Sequence, residues 1–443
     1  MAQRTLARAT AAASVVLLAA SAAACSNNSG SSSSSDTTKK QVKVYGTDGN
    51  MGNALGAKFK DKGALAGMSG TTPLTKLGDD FKTRLKTVDP KLVDFNYAGE
   101  SYDASVLVAL AAETARSSKG TDLGKFINST TTGGEKCTDY KSCLALIKAG
   151  KDVDYDGVTG PLAFTEAGEP SKASFGLLQF GADNKLDDAK TQYVLAGDES
   201  KASTATVQAP PQTQAWAGSP AFKLGTLLPQ TGSLAFLGPP EFAGVKLAVQ
   251  DINAAGGVNG KPITVTNTDS GDTSTDIATT SVDSLIQAGV GAIVGAASSG
   301  VSLKVIDKIT GAGVVQISPA NTSDKFTTYP DKGLYFRTAP PDTLQAKALA
   351  DKMIADGVKK VGILELNDPY GTGLATNLQK DLAAQGVSAG NITNKIYDPK
   401  AQDFSAEVGA MKQANPDAIV VIGFDESATI IKQLNEQGIG PKR

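Results

Sequence analysis

The sequence of 443 residues contains no histidine. This absence excludes Ser-His-Asp and Cys-His catalysis and histidine-ligated zinc, and it removes the side chain most often used as a general base. Basic residues are no more abundant than acidic ones, since the net charge is -2. No basic stripe that would follow a phosphate backbone is present either, so we expect no nucleic-acid partner.

The apolar run near the N-terminus, Ala9–Ala24, is too short and too rich in small residues for a membrane span. It ends in Ser-Ala-Ala-Ala-Cys25, which resembles the lipobox of bacterial lipoproteins. The resemblance implies that Cys25 is acylated and becomes the mature N-terminus, although Ala22 stands where that family usually has leucine. An ordinary cleaved signal peptide is the alternative.

The next segment, Ser26–Lys40, contains no apolar residue and is expected to be a flexible tether. Two cysteines remain after it, Cys137 and Cys143, in a polar stretch. An exported chain with an even number of remaining cysteines favours a structural disulfide between them. With only these two thiols and no histidine, we expect no metal and no cofactor.

The rest of the chain alternates short apolar runs with amphipathic stretches of helical period, which predicts parallel sheets covered by helices. The predicted strands are Phe222–Leu228, Ile263–Asn267, Ala292–Ala296, Val314–Ile317, Val361–Leu366 and Ala418–Phe424. The predicted helices are Glu241–Ala254, Thr343–Ala355, Gly371–Gln385, Phe404–Ala414 and Glu426–Gln437. So many units predict two lobes.

A Pro/Ala/Gln/Thr-rich stretch without periodicity, residues 197–221, reads as a linker and holds the single tryptophan, Trp216. The chain stops just after a predicted helix, where an α/β pattern requires another strand. The tether, in turn, leads directly into a strand at Val42–Gly46. This pattern leads to the hypothesis of a circular permutation.

Several motifs from Phe222 onward resemble the first part of the Leu/Ile/Val-binding proteins, the amino-acid-binding subunits of ABC importers. They are GTLLPQTG (225–232), AVQDINAAGGVNGK (248–261), VGAASS (294–299), ISPANT (317–322) and DPYGTGL (368–374). Residues 42–194 resemble the remainder of that family's chain through YGTDG (45–49), SYDA (101–104) and YDGVTGPLAFTEAG (155–168). The two parts are in reversed order, so the linker would join the family's usual termini.

The resemblance implies the type I periplasmic-binding fold, an α/β architecture with two lobes of parallel sheet flanked by helices. The expected division is a signal peptide at 1–25, a tether at 26–41, lobe 2 at 42–97, lobe 1 at 98–165, lobe 2 and hinge strands at 166–196, the linker at 197–221, lobe 1 at 222–340 and lobe 2 at 341–443. It also implies capture of a small, branched-chain or similar amino acid and delivery to ABC permease subunits. The protein would be a monomer, lipid-anchored on the outer face of the cell membrane.

The resemblance places the ligand at the carboxyl ends of parallel strands. It assigns Ser299, Ala320 and Thr322 to the ligand's carboxylate. Asn321, which follows the same strand as Ala320 and Thr322, is a further candidate contact. Asp48 would pair with an α-ammonium group. The other expected contacts are Tyr370, Tyr102 and Phe236, which would form an aromatic wall, and Asp425, where the family commonly has aromatic residues.

Each assignment has an alternative. Ser299 and Thr322 are also typical helix N-caps, Asp48 a typical turn residue and Asp425 a typical surface group. At the level of function, a sensor subunit, a binder of a small amide or urea-like solute, an extracellular hydrolase and a poorly folding permuted product stay open. Ser298-Ser299-Gly300 is not a nucleophile elbow, which argues against the hydrolase.

Overall fold

The computed structural model of the protein describes residues 41–441. The predicted signal peptide, Cys25 and nearly all of the predicted tether therefore lie outside the described residues. Within them, no helix combines the length and apolar character needed to cross a membrane.

The strands and helices alternate along most of the chain, as the hydrophobic periodicity predicts. The strands are β1 (Lys43–Gly46), β2 (Ser69–Pro73), β3 (Glu135–Cys137), β4 (Val153–Gly157), β5 (Gly160–Pro161), β6 (Lys172–Gln179), β7 (Gln192–Gly197), β8 (Lys223–Leu228), β9 (Thr264–Asp269), β10 (Ala292–Gly295), β11 (Val315–Ser318), β12 (Tyr335–Arg337), β13 (Val361–Leu366), β14 (Ile392–Tyr397) and β15 (Ala418–Ile422). The α-helices are α1 (Asn53–Gly56), α2 (Asp79–Val88), α3 (Ala98–Ala115), α4 (Gly120–Ile127), α5 (Tyr140–Lys148), α6 (Gly238–Ala254), α7 (Ile277–Ala288), α8 (Ser299–Gly311), α9 (Asp342–Ala355), α10 (Pro369–Ala384), α11 (Ser405–Ala414) and α12 (Ser427–Glu436).

Two large sheets organise these elements. Five strands form one sheet in the order β12-β11-β10-β8-β9, with every neighbouring pair parallel. Seven strands form the other in the order β14-β13-β15-β1-β2-β6-β7. We call the part around the five-stranded sheet lobe 1 and the part around the seven-stranded sheet lobe 2. The predicted α/β class is confirmed, except that β6 and β7 add an antiparallel edge to lobe 2.

The central strands of both sheets are buried on both faces. Every residue of β13 and β15 is buried, as is every residue of β10 and β11. Strands without a solvent-facing side are typical of parallel sheets, and most residues of these strands are apolar. Helix α3 is buried along nearly its whole length because it packs against α6 and the five-stranded sheet.

The linker between β7 and β8 is held against the end of α3 in lobe 1. Arg116 Nε donates to the carbonyl oxygen of Gln214 at 2.6 Å. The backbone of Ala217 pairs with that of Arg116 at 2.9 Å and that of Ser118 at 3.0 Å. The linker therefore crosses between the lobes as a docked segment.

The two cysteines within the described residues form a disulfide. Cys137 ends β3 and Cys143 lies in α5, with their Cα atoms 5.3 Å apart. The bond joins this short strand to the helix that follows it.

Candidate functional site

A cavity lies between the two lobes, at the carboxyl ends of strands from both sheets. Lobe 1 contributes residues that follow β8, β10 and β11, and lobe 2 contributes residues that follow β1, β13 and β15. The lining residues are Asp48, Gly49, Tyr97, Leu234, Leu237, Ala297, Ser298, Ser299, Ala320, Thr322, Tyr370 and Phe424. This is the position at which open α/β sheets bind ligands.

On the lobe 1 side, hydroxyl groups gather at the start of α8. The Oγ atom of Ser298 caps the helix, accepting from the backbone N–H of Val301 at 3.3 Å. Ser299 is the first helical residue, and its Oγ accepts from the N–H of Ser323 at 3.3 Å. The capping alternative therefore applies to Ser298 and not to Ser299. The positive end of the helix dipole and these hydroxyls favour an anionic group here.

On the lobe 2 side, Asp48 is buried and accepts hydrogen bonds from three side chains. Its Oδ1 accepts from the hydroxyl of Tyr370 at 2.7 Å and from Nε2 of Gln345 at 2.9 Å. Its Oδ2 accepts from the hydroxyl of Tyr97 at 2.8 Å. Because a carboxylate has about four acceptor directions, Oδ2 retains one for a ligand donor.

Tyr370 is itself held in place from two sides. Since its single proton is given to Asp48, its oxygen accepts from the Thr47 hydroxyl at 2.7 Å. Its ring stacks on that of Phe424, with the centroids 5.4 Å apart. The aromatic pair fixes the hydroxyl that positions the carboxylate.

Asp48 contributes the one carboxyl group among the residues that line the cavity. Burial raises the pKa of Asp48, and the hydrogen bonds from Tyr370, Tyr97 and Gln345 offset that rise only in part. Burial, followed by the charge of Asp48, raises the pKa of the Tyr97 hydroxyl. No lysine or arginine is among the lining residues. A cationic group entering the cavity would therefore meet a carboxylate without a positive side chain.

The cavity is small in this closed arrangement. Its volume is about 10 Å³, which is roughly the space of one water molecule. A ligand as large as an amino acid therefore does not fit the cavity unless the surrounding residues move.

The structure brings together five of the predicted contacts: Ser299, Ala320, Thr322, Tyr370 and Asp48 all line this cavity. Asn321 is buried in the loop between Ala320 and Thr322 but is not a lining residue. Its Nδ2 donates to the carbonyl of Ala297 at 2.8 Å and its Oδ1 accepts from Tyr335 at 2.9 Å. Asn321 therefore shapes the loop that carries its neighbours.

Three of the predicted contacts, Tyr102, Phe236 and Asp425, are not among the residues that line the cavity. Tyr102 lies within the lobe 1 core, where it donates to Asp251 at 2.7 Å and packs edge-on against Phe81. Phe236 packs against the hydrophobic core as a partly buried side chain.

Asp425 is a surface group that pairs with Lys58 at 2.8 Å. The lining positions are taken instead by Tyr97, Leu234, Leu237 and Phe424, with Gln345 behind them. The sequence signal for Phe424 is the resemblance at positions 424 and 425, where the family commonly has aromatic residues and Asp425 departs from that pattern.

Comparisons with known proteins cover the second half of the chain. Residues 221–443 match the family model described as periplasmic binding protein. Leu/Ile/Val-binding protein homolog 3 of Brucella melitensis is 30% identical over 224 residues, 49% of this chain and 58% of the relative. Homolog 2 of Brucella abortus is 34% identical over 225 residues, with the same coverage. The chain thus spans 58% of the length of these relatives.

Two solved structures overlap the same share of the chain. The leucine binding protein LivK of Thermotoga maritima is 24% identical, with a TM-score of 0.45, over 49% of this chain and 61% of its own. LivJ of Streptococcus pneumoniae, in complex with isoleucine, is 32% identical, with a TM-score of 0.44, over 49% and 62%.

Proposed function

Because the chain belongs to the periplasmic binding protein family, we propose that it captures a small amino acid, branched-chain or similarly aliphatic, between its lobes. The observation that carries this proposal is that the two sides of the interlobe cavity suit groups of opposite charge. Ser299, Thr322 and the α8 N-terminus suit a carboxylate, while Asp48 suits an ammonium group. Leu234 and Leu237 offer an apolar surface to an aliphatic side chain.

Periplasmic binding proteins are not enzymes, which sets the hydrolase alternative aside. The local geometry agrees with this reading. The Ser299 hydroxyl accepts a backbone hydrogen bond from Ser323, and the sequence holds no histidine to activate it.

The proposed cellular role is delivery of the captured solute to the permease subunits of an ABC importer, outside the cytoplasm. We place the protein on the membrane through acylated Cys25. Mass spectrometry of the purified protein would give the acyl mass on that cysteine. An unmodified chain that begins elsewhere would contradict the anchor. A sensor subunit stays the alternative, and co-purification with a kinase instead of a permease would favour it.

The direct test is a thermal-shift screen of the purified protein against the common amino acids. A ligand at 100 times its dissociation constant adds about 2.7 kcal/mol of stability, which raises the melting temperature by a few degrees. We expect shifts with leucine, isoleucine or valine, and loss of the shift in Asp48→Asn. A cooperative melt that responds to no amino acid would sink the proposal.

A small amide or urea-like solute is the second candidate, because the cavity is small and Asp48 already accepts three donors. The same screen separates the two. A shift with acetamide or urea and none with any amino acid would favour the amide.

We further propose that the chain is circularly permuted. We number the five strands of the lobe 1 sheet by their order along the chain, from β8 as the first to β12 as the fifth. Across the sheet from β9 to β12, the order is then second, first, third, fourth, fifth. Across the lobe 2 sheet, the strands from β14 to β2 follow the same order if β13 is numbered first, β14 second, β15 third, β1 fourth and β2 fifth. This numbering requires the chain to continue from β15 into β1. The N-terminal strand β1 pairs in parallel with β15, through Lys43 opposite Ala418. An importer-type chain cut between α12 and β1 has this arrangement.

The permutation has a simple test. A variant with residues 222–443 placed before residues 42–196 restores the proposed original order and removes the linker. We expect it to melt cooperatively and to bind the same amino acid within a few-fold. A restored chain that fails to fold while the natural chain folds would contradict the proposal.

A further inference from the structure

Asp342 is the first residue of α9, placed where the chain passes from lobe 1 into lobe 2. Its side chain is fully buried, with 0% exposure. Among residues 41–441, neither carboxylate oxygen meets a donor at hydrogen-bonding geometry. Buried carboxylates are normally paired, so Asp342 has the capacity to accept a donor from a ligand.

The surroundings of Asp342 connect it to the cavity. Its backbone N–H donates to the carbonyl oxygen of Thr322, a lining residue, at 2.7 Å. Its Oδ2 lies 3.5 Å from the point where a β-carbon on Gly373 would sit, so it faces the first turns of α10. After burial, the charge of Asp48 is the largest influence that raises its pKa. Gln345, which lies one turn along α9 from Asp342, donates to Asp48 at 2.9 Å. The two carboxyl groups are therefore neighbours on the lobe 2 side, and their charges interact.

The cationic side chain that acts on Asp342, Arg337, forms its hydrogen bonds with other groups. Arg337 and the Thr322 side chain lower the pKa of Asp342 only in part. The Nε of Arg337 donates to Glu169 at 2.9 Å, and its Nη1 donates to the carbonyl of Ser323 at 2.7 Å. The guanidinium therefore makes its hydrogen bonds away from Asp342.

We propose that Asp342 is a second carboxylate for the ligand's ammonium group, so that the cleft selects protonated amines by placing them between Asp48 and Asp342. This inference rests on the proposed function and specifies its ligand class. An ammonium group has three N–H donors and can donate hydrogen bonds to both carboxylates. The unpaired state of Asp342 would oppose closure of the lobes without such a cation. Deaminated analogues, which carry the carboxylate and the aliphatic chain alone, would leave both groups without a cation.

The test is calorimetric titration of the purified protein with L-leucine and with 4-methylpentanoate, which is leucine without its amino group. We expect Asp342→Asn to weaken leucine binding at least tenfold and to leave 4-methylpentanoate binding unchanged or tighter. The matched control is Asp79→Asn, because Asp79 is also the first residue of a helix, α2, but is exposed. It should leave both affinities as in the wild type.

A structural role for Asp342 predicts a different pattern. An aspartate that merely stabilises the start of α9 through the helix dipole would, when replaced, lower the melting temperature and weaken both ligands equally. Our inference predicts a melting temperature for Asp342→Asn without ligand that is equal to or above that of the wild type. Equal losses for both ligands, an unchanged leucine affinity or an unfolded variant would each overturn it. A wild type that binds no amine would overturn the proposed function as well.

Discussion

The buried ion pair between Arg337 and Glu169 supports the loop that carries part of the cavity. Arg337 and Glu169 are 1% and 8% exposed. Besides Glu169, the guanidinium holds the carbonyls of Asn321 at 3.2 Å and Ser323 at 2.7 Å. These two residues flank Thr322, so one side chain fixes the backbone on both sides of a candidate ligand contact.

Replacing Arg337 with methionine leaves Glu169 buried without its partner. Removing one partner of a buried ion pair costs about 3–5 kcal/mol of unfolding free energy. Each backbone carbonyl that loses its hydrogen-bond donor costs about 1–3 kcal/mol more at most. These terms overlap, so we expect a loss of about 3–6 kcal/mol of unfolding free energy. Leucine affinity should fall together with stability, because Thr322 loses its support.

Urea unfolding followed by circular dichroism measures the loss. The double variant Arg337→Met/Glu169→Leu removes both charges and should recover much of the lost stability, since apolar replacement of a buried pair is often neutral. The reasoning is refuted if the single variant stays within about 1 kcal/mol of the wild type, the value of an exposed pair, or if the double variant is less stable than the single one.

Two further predictions concern stability. Burial raises the pKa of Glu100 to about 8 and that of Glu241 well above its usual value. The folded state therefore holds more protons than the unfolded state above pH 4.5, and stability should fall by at most about 1.4 kcal/mol per pH unit for each group as the pH rises towards 8. The urea concentration at the unfolding midpoint, measured at several pH values, should show this fall in the wild type and in the control Glu436→Gln, whose side chain is exposed. The fall should be weaker in Glu241→Gln. A midpoint that rises with pH in the wild type would contradict the prediction. The disulfide closes a loop with a sequence separation of 6, so replacing Cys137 and Cys143 with serine should cost about 2 kcal/mol, and an unchanged melting temperature would refute this.

The positions that sequence reasoning placed well share one rule. Asp48, Tyr370, Ser299, Ala320 and Thr322 each follow a buried parallel strand, and the carboxyl ends of such strands meet at one edge. The strand positions themselves were predictable because β10 and β15 are uninterrupted apolar runs and β13 is apolar except at Glu365. Strand limits differed by one or two residues, which does not change which loops converge.

The predicted contacts that do not line the cavity depended on side-chain orientation, which hydrophobic periodicity does not give. Helix α3 is buried on all sides, so its pattern does not distinguish a cavity-facing tyrosine from a core one. Tyr97 reaches Asp48 because it precedes that helix with a φ of 61°, in the left-handed region, whereas Tyr102 points into the lobe 1 core. Phe424 and Asp425 are adjacent in one loop, and only the first turns inward.

The antiparallel edge strands β6 and β7 show a different limit. Their pairing follows from a hairpin between Gln179 and Gln192 and not from the repeated strand–helix pattern. Asp342 was missed because an aspartate at a helix start is an ordinary sequence feature. Only its burial and its unpaired oxygens distinguish it.

The most direct test of the central claim is a crystal structure of the protein grown with L-leucine. We predict leucine between the lobes, with its ammonium nitrogen about 2.7–2.9 Å from Asp48 and its carboxylate at Ser299 and Thr322. Leucine bound elsewhere, for example in the outer groove beside Phe242 and Val249 of α6, or leucine in the cleft with its ammonium group turned away from Asp48, would contradict it.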